Sequence, residues 1–412
     1  MNNSKFAFLM KKKRLDYKWK QDYVALRLNI SKSYYSELER GKVVIPVYLL
    51  RDIKTIYNIR EFNENKIKEL RDNLIHCFIR LYNCDINVSN DYDNILKHKT
   101  DYINSILCLE YWLLTYIYSV TKRDKLIYST ELKKYKNYFS VDEENFYHLY
   151  RCIQYRNEYN DLEALKMAEF LLKKKTENSY FKAILNYHSA FLYYQQGDCI
   201  HSLKCIVSAK ELFKSTFNKS RYYLALSHEA VIYTKARMFQ LADEININLV
   251  QCAKNNVLDV DYNVIICNSS VNMILSLQYE RSLYYLNLKT NNWNLVQPFY
   301  FNYSWTLYKL NQHAQALDFI SDNYDKISDL FVKRTLNIIK LLIIDEKSNE
   351  LLVALKESEK FINKTSVDFE GHIFIYSQLL NFYKRKSNLK QQIKYMDKIL
   401  GIQKLECNIY NT

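Results

Sequence analysis

The sequence predicts an all-α chain: a five-helix head followed by an α-solenoid of helical hairpins. Three observations carry this. The 412 residues hold only four Gly and two Pro, Pro46 and Pro298, too few breakers for a sheet-rich fold. Apolar residues recur at helical spacing along most of the chain. Beyond residue 150, small residues recur as markers at Ala164, Ser202, Ala242, Ser282, Ala316 and Ala354, with Gln392 in the last place. Their steps of 38, 40, 40, 34, 38 and 38 residues match helix–turn–helix repeats that stack into a solenoid.

In the head, Phe6, Leu9 and Met10 give the first helix, over 5–15, an i, i+3, i+4 stripe. A second helix runs from Gln21, with Val24, Ala25 and Leu28 as its packed face. The turn Asn29-Ile30-Ser31 follows, with Asn29 where a residue tolerant of positive φ is wanted. Ser31 is the expected N-cap of a third helix, S-K-S-Y-Y-S-E-L-E-R-G, which Gly41 ends. Tyr35 and Leu38 share its inner face, leaving Lys32, Ser33, Tyr34 and Glu37 for a partner. Pro46 then blocks an easy restart, and Val47, Leu49, Leu50, Ile53 and Ile56 extend the head by a further helix. Two short helices joined this way make a helix-turn-helix, whose second helix lies in the major groove.

The segment resembles the Xre (Cro/C1-type) helix-turn-helix family. Gln21, Val24-Ala25, Leu28-Asn29-Ile30-Ser31 and Tyr35-Ser36-Glu37-Leu38-Glu39-Arg40-Gly41 occupy the family's pattern. Lys20, Asn29 and Tyr35 depart from it, standing where Ser/Thr, Gly and a small aliphatic are usual. The resemblance implies that Lys32, Ser33 and Glu37 face bases, with Tyr34 beside them, and that Gln21, Arg40 and Lys42 face phosphates.

Charge agrees with that placement. Residues 1–60 hold fourteen Lys/Arg against five Asp/Glu, a balance of +9 out of the chain's +14. A basic module on a nearly neutral remainder is the electrostatic footprint of a DNA-binding head. The run Lys11-Lys12-Lys13 is either a solvated face or a further phosphate contact.

Downstream, residues 65–83 read as a long amphipathic helix that either caps the body or pairs with a symmetry mate. Residues 88–94 read as a polar turn, and 103–120 as one buried helix. The repeats resemble degenerate tetratricopeptide repeats, best in the series Ala190, Tyr193, Gly197, Ser202, Ala209. The readings divide the chain at 1–62 (head), 63–149 (helical linker and first solenoid helices) and 150–412 (repeats).

Enzyme signatures are absent: no P-loop, no dinucleotide fingerprint, no H-E-x-x-H and no G-x-S-x-G occurs. The eight His are isolated, and the nine Cys show no zinc spacing. No catalytic, metal or cofactor site is expected. No run of about 18 apolar residues marks a membrane span, and the first residues do not form a signal peptide. The expected location is the cytoplasm.

Head and repeats together resemble the peptide-responsive quorum-sensing regulators, the Rgg, PlcR, PrgX, NprR and AimR group. That resemblance implies a cytoplasmic homodimer that binds double-stranded DNA and whose solenoid binds a short signalling peptide that controls DNA binding. The groove candidates are Tyr187, Phe191 and Gln195; Ser227, Thr234 and Lys235; Phe301, Trp305 and Lys309; and Asn381, Lys384 and Arg385. Aromatics would supply apolar pockets, and Lys or Arg a partner for a terminal carboxylate. The alternative is a helix-turn-helix regulator whose solenoid holds a protein partner and no peptide.

Overall fold

A computed structural model describes residues 3–59, 62–158, 160–254, 262–290, 293–364 and 369–407. Among them the chain is helical throughout, with three short 3-10 turns and no strand. It divides into two compact units, Met1–His188 with Ser215–Asn218, and Ser189–Lys214 with Lys219–Thr412.

The first unit opens with α1 (Asn3–Asp16), α2 (Gln21–Arg27), α3 (Lys32–Glu39) and α4 (Val47–Ile56), four helices among the described residues of 1–62 where five were expected, since the next helix starts only at Glu64. The local signals act as read. Asn29 has φ 52° and Gly41 has φ 70°, and the Ser31 hydroxyl accepts the Tyr34 N–H at 3.2 Å. Lys20 makes no side-chain cap for α2. Arg60, one of the head's cations, lies outside the described residues.

Helix α1 does more than its stripe announced. Phe6, Ala7, Phe8, Leu9 and Met10 are all buried, so the helix is covered on several sides. Next come α5 (Glu64–Tyr82), α6 (Val88–Lys97), α7 (Lys99–Ile103), α8 (Cys108–Lys122) and α9 (Ser129–Tyr135). Phe8 meets Trp112 of α8 and Tyr135 of α9 edge-on, at 5.5 and 5.1 Å between ring centres. Lys13 reaches Asn104 at 2.7 Å, and Lys5 pairs with Glu143. The head is therefore packed directly onto the helices that follow it.

Two sequence expectations are corrected here. Residues 88–94 are helix, because Val88, Tyr92 and Ile95 form a buried stripe that the surrounding Asn and Asp disguise. The predicted helix over 103–120 is broken: α7 stops at Ile103 and α8 starts at Cys108. Ser105 punctuates the break, donating to the Tyr102 carbonyl and accepting the Leu107 N–H.

Helix pairs then follow. They are α10 (Val141–Asn157) with α11 (Asp161–Leu172), α12 (Ser179–Gln195) with α13 (Cys199–Ser215), and α14 (Lys219–Lys235) with α15 (Phe239–Lys254). The later pairs are α16 (Tyr262–Leu275) with α17 (Tyr279–Asn287), α18 (Pro298–Lys309) with α19 (His313–Asn323), α20 (Leu330–Ile344) with α21 (Asn349–Ile362), and α22 (Phe369–Arg385) with α23 (Leu389–Cys407). The fold is an all-α helix-turn-helix head followed by degenerate tetratricopeptide-like repeats.

The markers explain the repeat. Ala164, Ser202, Ala242, Ser282 and Ala316 are all fully buried, because the second helix of a pair approaches the first where only a small side chain fits. Ser202 donates to the Ala190 carbonyl at 2.7 Å, tying α13 to α12. Ala354 is half-buried while Leu355 beside it is fully buried, and Gln392 is half-buried. The turns repeat as well: Gly197, Arg237, Leu277, Asn311 and Ser387 all have φ between 51° and 83°. One is Gly and one is Asn, which tolerates the left-handed region; at Arg237, Leu277 and Ser387 the turn is imposed on residues that disfavour it. That is how the chain makes its turns with so few glycines.

Candidate DNA-binding face and repeat clusters

Helix α3 is an eight-residue helix fixed from behind by one buried carboxylate. Glu39 is 2% exposed. It accepts from Arg14 Nε at 2.6 Å, Arg14 Nη2 at 3.2 Å, Gln21 Nε2 at 2.6 Å and the Tyr35 hydroxyl at 3.3 Å. Tyr35 in turn meets the Tyr57 hydroxyl at 2.5 Å. Helices α1 and α2 thus converge on the last residue of α3, and Tyr57 reaches it through Tyr35. Burial opposes the charge of Arg14, but the bond and charge of Glu39 outweigh it, and the guanidinium is held above its usual pKa. Burial also raises the phenols of Tyr35 and Tyr57, so both stay neutral hydrogen-bonding groups.

From outside the first sixty residues, the Tyr138 hydroxyl donates to the Glu39 carbonyl at 2.9 Å. Ser4 at the start of α1 donates to the Tyr138 carbonyl at 3.2 Å. Desolvation pushes the Tyr138 phenol up to about 12, which keeps it a donor.

Opposite this anchor lies the solvent face of α3. Lys32, Ser33, Glu37, Arg40 and Lys42 are exposed there, and Tyr34 is half-buried. Lys32 pairs with Asp22 of α2 at 3.0 Å, with both side chains in solvent. Gln21, expected at a phosphate, instead turns its amide inward onto Glu39. Lys12 and Lys13 are engaged too. Lys12 pairs with Asp16 at 2.9 Å, and burial, with Lys12 nearby, lowers the pKa of Lys13. Sequence reasoning did not assign Glu39 a role, although its position inside the quoted motif was the available signal.

Tyr187 lies in the first unit, half-buried. In the second unit the remaining candidates fall into two clusters on different helix pairs. One joins α12 and α14: Phe191 packs on His228 at 5.6 Å. Lys235 donates to the Tyr194 carbonyl at 3.1 Å and sits 4.3 Å from its ring centre. Gln195 is half-buried at the end of α12. Ser227 and Thr234 are corrected, since both are buried. The Thr234 hydroxyl is used on the Ala230 carbonyl and Asn272, because it points at the neighbouring helix α16.

The other cluster joins α18 and α22. Phe301 stacks on Trp305, and Phe374 meets both edge-on at 5.0 and 5.2 Å. Lys309 lies 5.5 Å from the Trp305 ring centre and 5.6 Å from that of Tyr279. Asn381 and Lys384 are exposed on α22. Arg385 is already paired with Glu346 at 2.9 Å, so Lys309 and Lys384 are the candidates left for a carboxylate. Phe374 was missed; it stands seven residues before Asn381, on the same helical stripe.

Residues 10–61 match the helix-turn-helix family model HTH_3. No curated protein matches the chain. Among solved structures it is similar to a Rap protein complexed with competence and sporulation factor, with a TM-score of 0.64 at 12% identity over 83% of this chain and 99% of that one. It is similar to the apo quorum sensor NprR from B. thuringiensis, with a TM-score of 0.62 at 16% identity over 82% of this chain and 99% of that one. For NprR in complex with its cognate peptide NprX the TM-score is 0.56 at 16% identity, over 81% and 99%. These identities carry the fold.

Proposed function

We propose that this chain, a helix-turn-helix domain joined to tetratricopeptide-like repeats, is a cytoplasmic transcription regulator whose repeats bind a short signalling peptide that alters DNA binding. The observation that carries the DNA half is α3: a capped helix, anchored from behind at Glu39, with Lys32, Ser33, Glu37, Arg40 and Lys42 in solvent. In this reading Lys32, Ser33 and Glu37 meet base edges with Tyr34 beside them, Arg40 and Lys42 meet phosphates, and Gln21 orients Glu39. The protein acts as a homodimer on a two-fold or repeated site. It works by binding and carries out no reaction.

The peptide half is supported by the likeness to NprR, solved with its cognate peptide, and by the two clusters. Phe191 with His228, and Phe301 with Trp305 and Phe374, offer apolar contact. Lys309 and Lys384 offer charge, and Gln195 and Asn381 offer amides. Tyr187, Lys235 and Arg385 complete the candidate set, the last two through the groups they already hold. No helix among the described residues is long and apolar enough to cross a membrane.

The test has two arms. Selection from random duplexes identifies an operator, and affinity on it should fall steeply with salt. Lys32→Ala with Glu37→Ala should relax base preference, whereas Arg40→Ala should weaken all sequences alike. Short peptides encoded beside the gene are then titrated. Asn381→Ala and Trp305→Ala should lose the response while binding DNA like the parent. Coupling of about 1–3 kcal/mol changes occupancy about 5- to 150-fold. If no peptide moves DNA affinity but a protein partner does, the repeats are a protein-docking module instead.

A further inference from the structure

The chain's positive charge is unevenly committed. In the head, Lys5 is paired with Glu143, Lys12 with Asp16, Arg14 with Glu39 and Lys32 with Asp22, and Lys13 is bonded to Asn104. Arg40 and Lys42, just past the end of α3, are exposed and in no ion pair among the described residues. A second exposed group stands in the same condition. It consists of Lys133 and Lys134 of α9 and Lys136 of the 3-10 turn that follows.

The fold brings these two groups to one place. The turn Lys136–Tyr138 ends in the residue whose hydroxyl bonds the Glu39 carbonyl at 2.9 Å. Glu39 is followed directly by Arg40, and Arg40 lies close enough to act on the Tyr138 phenol. Lys11 adds its ammonium 5.4 Å from the Tyr138 ring centre. The acids on these two elements are Glu131, at the start of α9, and Glu37 on α3, both exposed, and the buried Glu39, which is paired with Arg14.

From this juxtaposition we infer that Lys133, Lys134 and Lys136 form an accessory DNA-backbone contact, outside the helix-turn-helix domain, that extends the footprint of α3 onto flanking phosphates. The partner is the same duplex that the head reads, so the inference rests on the reading above. Two cations just past the end of α3 and three on the element that Tyr138 ties to it, none in an ion pair among the described residues, fit a polyanion with one negative charge per about 1.7 Å of axis. Standing outside the helix that enters the groove, they meet phosphates, which fix position and affinity and carry no sequence information.

The experiment uses the full chain and a 40-base-pair duplex of shuffled sequence, with anisotropy read from low to high KCl. The variant is Lys133→Gln with Lys134→Gln and Lys136→Gln. A control removes the same charge from exposed lysines of the repeats, Lys204→Gln, Lys214→Gln and Lys219→Gln. A third protein carries Arg at 133, 134 and 136. The log–log salt slope should become shallower by about 0.9 per lost phosphate contact, about 2.7 for all three. The control and the Arg protein should keep the parent slope. A Gln variant with the parent's slope, or a control that shifts as much, overturns the inference while the head's DNA binding stands. A parent that does not bind the duplex at low salt overturns both.

Discussion

Replacing Glu39 by Ala is the sharpest test of how α3 is held. The carboxylate is buried and takes two bonds from Arg14, one from Gln21 and one from Tyr35. Its loss strands a largely buried guanidinium. Breaking a buried ion pair by removing one partner costs about 3–5 kcal/mol. The pair itself need not be worth that much, since an apolar pair of similar volume is often neutral. Arg14→Met with Glu39→Met should therefore recover most of the loss. Hydrogen exchange of the full chain reads this locally, in peptides covering 14–27 and 31–41, where about 1.4 kcal/mol is tenfold in protection. Glu39→Ala should lower protection there about a hundredfold or more, and leave α20 to α23 unchanged. Protection within about fivefold of the parent, or a double variant no better than Glu39→Ala, would refute the idea that a stranded charge is what matters.

Three further outcomes are expected. Tyr138→Phe removes one donor to the Glu39 carbonyl and should cost about 0.5–1.5 kcal/mol, read as faster exchange confined to residues 39–42. Glu359 is held by Lys398 at 2.6 Å, Lys356 at 3.1 Å and Tyr395 at 2.9 Å. Burial alone would raise its pKa, but these partners outweigh burial and lower it below 4.5. Its stabilisation of α21 against α23 is therefore present above pH 4.5 and lost as pH falls through the lowered value; Glu359→Gln should flatten that acid limb in exchange at 349–400. Leu277, exposed at φ 61°, should gain about 0.5–1 kcal/mol on replacement by Gly, relief of left-handed strain exceeding the entropy cost; a lower midpoint in urea would contradict this.

What could be read from the sequence was local. Ser31, Asn29 and Gly41 announce their conformations because caps and left-handed turns select residue types within a few positions. The markers from Ala164 to Ala316 could be read because close helix contact admits only small side chains at a fixed period. What could not be read was pairing across distance. Tyr138 and Glu39 are far apart in sequence, and nothing near either names the other. Lys12, Lys13, Lys235 and Arg385 looked like free charge until their partners were in view. The helix over 88–97 was hidden by Asn and Asp, whose turn preference loses to the burial of Val88, Tyr92 and Ile95.

Helix α1 belongs to two cores at once. Its Phe8 lies against Trp112 and Tyr135, while Ala7 faces the Gly41 turn. Cutting the chain after residue 62 would peel a shared plank from both sides. The severed head would expose Phe8 to water, and the remainder would expose Trp112 and Tyr135. In a chimera, then, the helix-turn-helix does not travel as a cassette. The exchangeable part runs through Tyr138, or the recipient must supply its own aromatic seat for α1. The same seam gives a practical handle: a protease that nicks between α4 and α5 leaves two fragments that should stay together until denatured.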